Sequence, residues 1–462
     1  MAMGKRTTER QGELWIAATQ MPSTPAHPFY RQLNEVLDSN GFDAFAEERC
    51  REFYAEKMGR PSLAPAVYFR MLLIGYFEGI DSERGIAWRL ADSWSLRMFC
   101  GYAPTDATPD HSTISRTRRL IDLETHEDVF VWVLTALAKA DLLQGKTLGI
   151  DATTLEANAA LRSIVRRDTG ESYEEFLTRL AKASGIETPT REDLAKLDRN
   201  RKNKGSNDDW EHPHDPDAKI TKMKDGRTHL AHKAEHAVDL DTEAIVSVTL
   251  QPANGGDCDS LDETLDVTVE ALAAVAEDAE AREHLAEHRL AETVTDKGYH
   301  SNRTLKEQRE LGIRTYASEP NRGRRNWRGK SAEREAVYGN RRRIRGGRGK
   351  ALLRKRGELV ERTFAHCYAR GGMRRTHLRG HGNILKRLLI HVAGFNLGLV
   401  MRKLLGAGKP RAFAGVAGLI PKRFAAIVER LIALHGLLAA RNGPRREVPP
   451  IPAYCSTLRH AA

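Results

Sequence analysis

The chain has 462 residues, of which 40% are apolar, and its 73 Lys and Arg against 62 Asp and Glu give a formal charge of +11. That length suits two to four structural units with real buried cores. The most apolar late stretch, 385–401, is interrupted by Lys386, Arg387 and His391, short of the roughly 18 unbroken apolar residues of a membrane helix, so no membrane partner is expected.

In chain order, residues 1–27 read as an N-terminal arm, basic but without the apolar run of a secretory signal. Residues 28–140 read as a helical domain. Pro61 and Ser62 stand as start signals for a helix whose Val67, Met71, Ile74 and Phe77 share one face. A second helix opens at Asp81 and Ser82, whose side chains can cap its first amides. A third opens at Asp110 and carries Arg116, Arg118 and Arg119 near its exposed side. Three short helices with a basic last one suit a helix-turn-helix DNA reader or an ordinary helical subdomain, and spacing does not choose between them. Trp88 and Trp94 are expected in the core of this domain.

At Lys146 the texture changes. KTLGIDATTLEAN predicts a strand, and HLAHKAEHAVDL with AIVSVTLQPA predicts a hairpin turning at Asp241, Thr242 and Glu243. A helix over about 260–277, a short strand ending at Asp296, a helix capped by Ser301 and closed by Gly312, and a last strand at RTYAS follow. Strand, hairpin, helix, strand, helix, strand is a mixed α/β layer. Residues 160–224 read as an insertion, with one amphipathic helix and then a polar, partly mobile stretch. There Glu211, His212, His214, Asp215 and Asp217 have a metal flavour, but Pro213 and Pro216 spoil a regular ligand geometry and the segment reads as solvated loop. After the basic segment described next, helix resumes through KRGELVERTFAHCYA and through NILKRLLIHVAGFNLGLVMRKLLG, with Ile384, Leu388, Val392, Phe395 and Leu399 in one stripe. An α/β domain is thus read as 146–370 and a C-terminal helical region as 371–462.

Residues 321–356 hold twelve arginines and three lysines against Glu333 and Glu335, a net +13. Arginine dominance with interleaved glycine suits forked contacts to phosphate oxygens and points to a polyanionic partner. The expected contacts to such a polyanion are Arg322, Arg324, Arg325, Arg341, Arg342 and Arg343 here, Arg116, Arg118 and Arg119 earlier, Lys297 beside Asp296, and Arg370. Trp327, alone among arginines, could stack on an unpaired base. Tyr299 and His300 are read as packing over the active-site rim, touching DNA, or lying in the core. The five scattered cysteines, with no CxxC, argue against a disulfide framework and a zinc knuckle and suit a reducing cytoplasm.

Asp151, Asp296 and Glu361 each sit in an apolar run, LGIDATT, TVTDKG and GELVERTF. A carboxylate at the end of a strand of an α/β sheet points into the crevice where ligands bind. In-line displacement at phosphorus needs two hard divalent cations, and hard cations take carboxylate oxygens. Together with PDHSTISR, GIDATTLEANAA, ITKMKDGRTHLAHKAEHAVD, VTDKGYHS and ELVERTFAHCYARGGMRRTHLRG, these residues resemble the DDE transposases of bacterial insertion sequences. The resemblance is to the branch with an all-α N-terminal domain ahead of a ribonuclease-H-like mixed sheet with flanking helices, followed here by C-terminal helices. It spans about 28–405 and implies Asp151, Asp296 and Glu361 as catalytic residues and metal ligands, separated by 145 and 65 positions. It further implies two Mg or Mn ions, double-stranded DNA (terminal inverted repeats and target) as partner, a homodimer that handles two ends together, and a bacterial cytoplasmic, nucleoid-associated location. Relatives often carry a basic residue beyond the glutamate that touches DNA; here Tyr368 stands there, so Arg370 or His366 would substitute. A metal-dependent nuclease without strand transfer and an inactive DNA-binding regulator are the rival readings.

Overall fold

The helix signals of the first third of the chain are realised one by one in the computed structural model, which describes residues 27–55, 62–103, 105–201, 205–223, 225–323 and 325–413. Seven helices come first: α1 (Pro28–Ser39), α2 (Phe42–Cys50), α3 (Pro65–Glu78), α4 (Glu83–Asp92), α5 (Trp94–Phe99), α6 (His111–Leu120) and α7 (Leu123–Lys139). Side-chain caps start five of them: His27 Nδ1 accepts from the Phe29 amide, Ser82 Oγ from Gly85, Ser93 Oγ from Leu96, Asp110 from Thr113 and Asp122 from Thr125. Each Ser or Asp cap stabilises its helix by about 1 kcal/mol. Helix α3 begins at Pro65 and buries nearly its whole circumference, Ala66 and Tyr68 through Phe77, rather than a single stripe. Trp88 and Trp94 are not core: α4 buries Ile86, Ala87 and Leu90, which turns Trp88 outward at 65% exposure, and Trp94 is 41% exposed.

The mixed sheet follows. Its strands are β1 (Thr147–Glu156), β4 (Lys219–Lys222), β5 (Thr228–Asp239), β6 (Ile245–Pro252), β7 (Glu292–Thr295) and β8 (Arg314–Ala317), with β2 (Val165–Arg166) and β3 (Trp210–Glu211) in a separate small ribbon. The order is β4-β5-β1-β7-β8, and β6 also pairs with β5. β5 and β6 form the expected antiparallel hairpin, while β1, β7 and β8 run parallel. Crossovers through α10 (Asp257–Val275), α11 (Ala279–His284) and α12 (Asn302–Glu310) connect the parallel strands, as parallel pairing requires.

Two segments are more ordered than their sequence implies. The insertion carries α8 (Tyr173–Ala183) and α9 (Arg191–Asn200), both opened by capping boxes, Ser172 with Glu175 and Thr190 with Asp193. Trp210, Ile164 and Leu230 form its own core, with Tyr173 and Phe176 packed alongside, and β4 joins the main sheet. The supposed solvated loop is a tie: Asp215 is fully buried, accepting from His232 Nε2 and the Gly380 amide, and Asp217 accepts from the His381 amide.

The arginine-rich segment is largely helical, α13 (Ser331–Arg345) and α14 (Gly347–Phe364), so helix starts well before residue 355. Arginine is a good helix former, and a few apolar positions suffice to anchor the run. Ala336 and Val337 pack on Leu305 and Ala317, and the buried Asn340 side chain bonds both backbone groups of Ala317.

Helix α15 (His381–Leu405) is long and apolar enough to cross a membrane by composition, yet 89% of its most apolar window is buried inside the protein. It packs against α3, α7 and β6. The Asn396 amide clasps the backbone N–H and C=O of Ile245, and Lys386 Nζ donates to the carbonyls of Arg118 and Ile121. The described residues up to Arg411 accordingly form one compact unit, with the helical region seated on the sheet through α15. Residues 1–26 of the expected arm and 414–462 of the expected C-terminal region, Cys455 included, lie outside the described residues; Cys50, Cys100, Cys258 and Cys367 are free thiols.

Candidate active site

β1 and β7 are held in parallel register with an offset of 145, Thr147 opposite Glu292 and Gly149 opposite Val294. Asp151 and Asp296 are separated by the same 145 positions and follow two residues beyond the last paired position, where the strands part, near enough for their charges to interact. Such a parting is where an open α/β sheet offers a ligand crevice.

Asp151 Oδ2 accepts from Arg356 Nη1 of α14 at 2.7 Å, and Oδ1 accepts from the Ala152 amide at 2.9 Å. Burial lifts the Asp151 carboxyl above its ordinary range; Arg356 and the Ala152 amide pull it down, and the Asp296 charge pushes it up. Asp296 Oδ1 accepts from the Gly298 amide at 2.7 Å, which fixes the carboxylate in a tight turn. A Cβ at Gly298 would lie 3.0 Å from that oxygen and 2.1 Å from Asp257 Oδ2, so only glycine fits between them.

Helix α14 is fixed over β1 and β5 by a buried polar contact. The His236 ring lies between Thr363 Oγ1 at 3.0 Å and the Tyr368 hydroxyl at 2.5 Å, and burial holds its pKa down at about 3, so it is neutral. Tyr368 is therefore core and its hydroxyl is committed, which removes it as a DNA contact. Burial and nearby cations also lower His366 to about 4, leaving exposed Arg370 as the basic group beyond the glutamate.

Glu361 is exposed on α14 next to buried Val360, while its neighbour Arg362 pairs with Glu243 and Glu358. The structure brings Asp151 and Asp296 together and leaves Glu361 on the solvent side of the adjoining helix. Among the described residues, no three His, Cys, Asp or Glu side chains are gathered as a metal-holding group. The donor set is nevertheless all carboxylate oxygen, which fits a hard divalent ion such as Mg or Mn and not a soft one.

The candidate DNA contacts divide sharply. Arg116, Arg119, Lys297, Arg322, Arg342 and Arg370 are exposed. Arg118 is buried rather than outward, paired with Glu83 at 2.7 Å and bonded to Asn383. Arg325 and Arg341 grip Glu319, and Arg343 bonds the Thr315 carbonyl and hydroxyl, so all three are spent on the fold. Arg324 lies outside the described residues. Trp327 packs half-buried on the Leu305 and Val337 cluster. Tyr299 and His300 are core, the Tyr299 hydroxyl donating to Glu235 at 2.7 Å.

Residues 19–120 match the family model of a transposase domain (DUF772), and residues 207–397 match that of the transposase DDE domain. The chain belongs to the DDE transposases of insertion sequences. The second match contains Asp296 and Glu361 and begins beyond Asp151. No curated protein and no solved structure matches the chain. In this transposase, sequence reading missed Arg356, Asp257 and Lys233. Arg356 was one of twelve arginines in a run, and only its place one turn before buried Val360 marks it as facing the sheet. Asp257 follows two glycines at a helix start and reads there as an ordinary first-turn acid.

Proposed function

We propose that this transposase binds the terminal inverted repeats of its own element, cuts the DNA at the ends and joins the freed 3′-hydroxyl to target DNA. The observation that carries the reading is the matched register of Asp151 and Asp296 where β1 and β7 diverge, under a helix bearing Glu361. Asp151, Asp296 and Glu361 would hold two divalent ions, Mg or Mn. When bound, such a pair supplies an activated attacking oxygen and a stabilised leaving oxygen.

The chain's own residues do the rest. Arg356 holds the Asp151 carboxylate in place from α14 and balances its charge. The Gly298 amide fixes the orientation of Asp296. Exposed Arg322 and Arg342, with Lys297 next to Asp296, grip phosphates along the approach to the crevice. Helix α6, through Arg116 and Arg119, takes part in end recognition. A homodimer brings two ends together, in the cytoplasm on nucleoid DNA.

The test is a strand-transfer reaction with pre-cut terminal-repeat ends, a target plasmid and Mg or Mn, the repeats being read from the DNA flanking the gene. Joined product supports the reading. Cleavage of uncut ends without any joining would make the protein a nuclease, and specific binding without either reaction would make it a regulator.

A further inference from the structure

Beside the crevice lies a second, fully built polar assembly that the proposed trio does not use. Lys233, on β5 and 5% exposed, donates to Asp257 Oδ1 at 2.7 Å, to Ser260 Oγ at 3.0 Å and to the Gly255 carbonyl at 3.4 Å. Ser260 Oγ in turn donates to Glu235 Oε1 at 2.9 Å, which also accepts from the Tyr299 hydroxyl. Glu235 is wholly buried beneath this loop, and its Oε2 has no hydrogen-bond partner among the described residues. One network therefore ties β5, the first turn of α10 and the loop that bears Asp296.

A first-turn acid on a helix ordinarily stabilises the exposed amides by about 0.3–1 kcal/mol. Asp257 is placed differently. Helix α10 has no side-chain cap bond at its start, and Lys233 fixes Asp257 Oδ1 so that Oδ2 faces the other way. That oxygen and Asp296 Oδ1 both approach the empty Cβ position of Gly298, at 2.1 and 3.0 Å. They lie no farther apart than those two distances laid end to end. Two carboxylates this close repel; Lys233 offsets part of that charge from the Oδ1 side of Asp257 and leaves Oδ2 turned toward Asp296.

We infer that Asp257 is a further carboxylate of the reaction centre, facing Asp296 across Gly298 and contributing to retention of the divalent ion. The inference rests on the proposed transposase chemistry and deepens it. Gly298 is required because any side chain would displace the Asp257 carboxylate.

The experiment is calorimetric titration of the full-length protein with Mn²⁺ alone, without DNA, on the parent and on Asp257→Asn, Gly298→Ala, Asp296→Asn and Asp262→Asn. Asparagine keeps the shape of Asp257 and can still accept from Lys233, and thermal unfolding verifies that each variant is folded. The expected result is Mn²⁺ affinity weakened about tenfold or more by Asp257→Asn, Gly298→Ala and Asp296→Asn, the scale on which support of a metal site acts. Asp262→Asn, one turn along the same helix and paired with Arg303 at the surface, should bind like the parent. If Asp257→Asn and Gly298→Ala bind Mn²⁺ within about twofold of the parent while Asp296→Asn does not, Asp257 is only a helix-start acid and the inference is overturned. If Asp296→Asn also binds like the parent, the proposed reaction centre is wrong and the inference falls with it.

Discussion

Replacing Arg356 by methionine would keep the length of the side chain against β1 while stripping Asp151 of its counter-charge. The Asp151 and Arg356 side chains are 24% and 15% exposed, and their contact is 2.7 Å long. Exposed ion pairs contribute about 0.2–1 kcal/mol, whereas breaking a buried one costs about 3–5 kcal/mol. This pair lies nearer the buried limit, so Arg356→Met should cost about 2–3 kcal/mol at neutral pH.

The pH dependence has a definite sign. Burial already lifts the folded-state pKa of Asp151 above its unfolded value, and Arg356 opposes that lift. Removing Arg356 raises it further. The resulting penalty exists wherever the carboxyl is ionised, above the raised folded pKa, and fades as pH falls through that value toward about 3.9, where the unfolded chain also takes up its proton. Urea unfolding at pH 7.5 and pH 5 measures both effects through the midpoint and slope. In an Asp151→Asn background, Arg356→Met should cost much less, since no buried charge is then orphaned. A cost below about 0.5 kcal/mol at pH 7.5, or the same cost with and without the Asp151 carboxylate, would refute the pairing as a determinant of this site.

Three further outcomes follow from the division of the arginines and from the His236 contact. Changing exposed Arg322, Arg342 and Arg370 together to Ala should flatten the salt dependence of DNA binding by up to about 3 units between 50 and 200 mM salt, measured by fluorescence anisotropy. Changing Arg341 and Arg343 instead should lower stability while moving that slope little, because they hold Glu319 and Thr315. Arg116→Ala with Arg119→Ala in the full chain should erase the preference for terminal-repeat over scrambled DNA in competition, whereas Arg118→Ala should act as a folding defect, leaving the half-buried Glu83 without its partner. His236 is held neutral with its pKa at about 3, below its unfolded value near 6.5, so it draws stability down as pH falls from about 6.5 toward 3. His236→Gln should flatten that limb of the urea-unfolding profile.

The elements of the sheet were legible because β-branched runs, turn residues and caps mark them locally: Ser301 caps α12 and the Asp241 turn closes the hairpin as the residues imply. The matched offset of 145 was visible as a separation but acquires meaning only with the register of β1 and β7. Solvent-facing and fold-building arginines could not be told apart in a run of twelve, because their difference lies in distant partners such as Glu319 and Thr315. Trp88 shows the same limit from the other side: hydrophobicity predicts burial, yet the phase of α4 turns it to solvent. The acid cluster at Asp215 looked solvated because its partners, His232 and Gly380, arrive from a strand and a loop far along the chain.

Metal-dependent cleavage at a terminal repeat, followed for Asp151→Asn, Asp296→Asn and Glu361→Gln with Mg or Mn, tests the account most directly. Each substitution keeps the shape of the side chain and removes one charge, so the variants should fold and bind repeat DNA. Cleavage should fall about 10³-fold or more in each, and double variants should be barely worse than singles, as for groups that act as a unit. Retention of cleavage within about tenfold of the parent by any one of them would contradict the account and return that carboxylate to the surface or the scaffold.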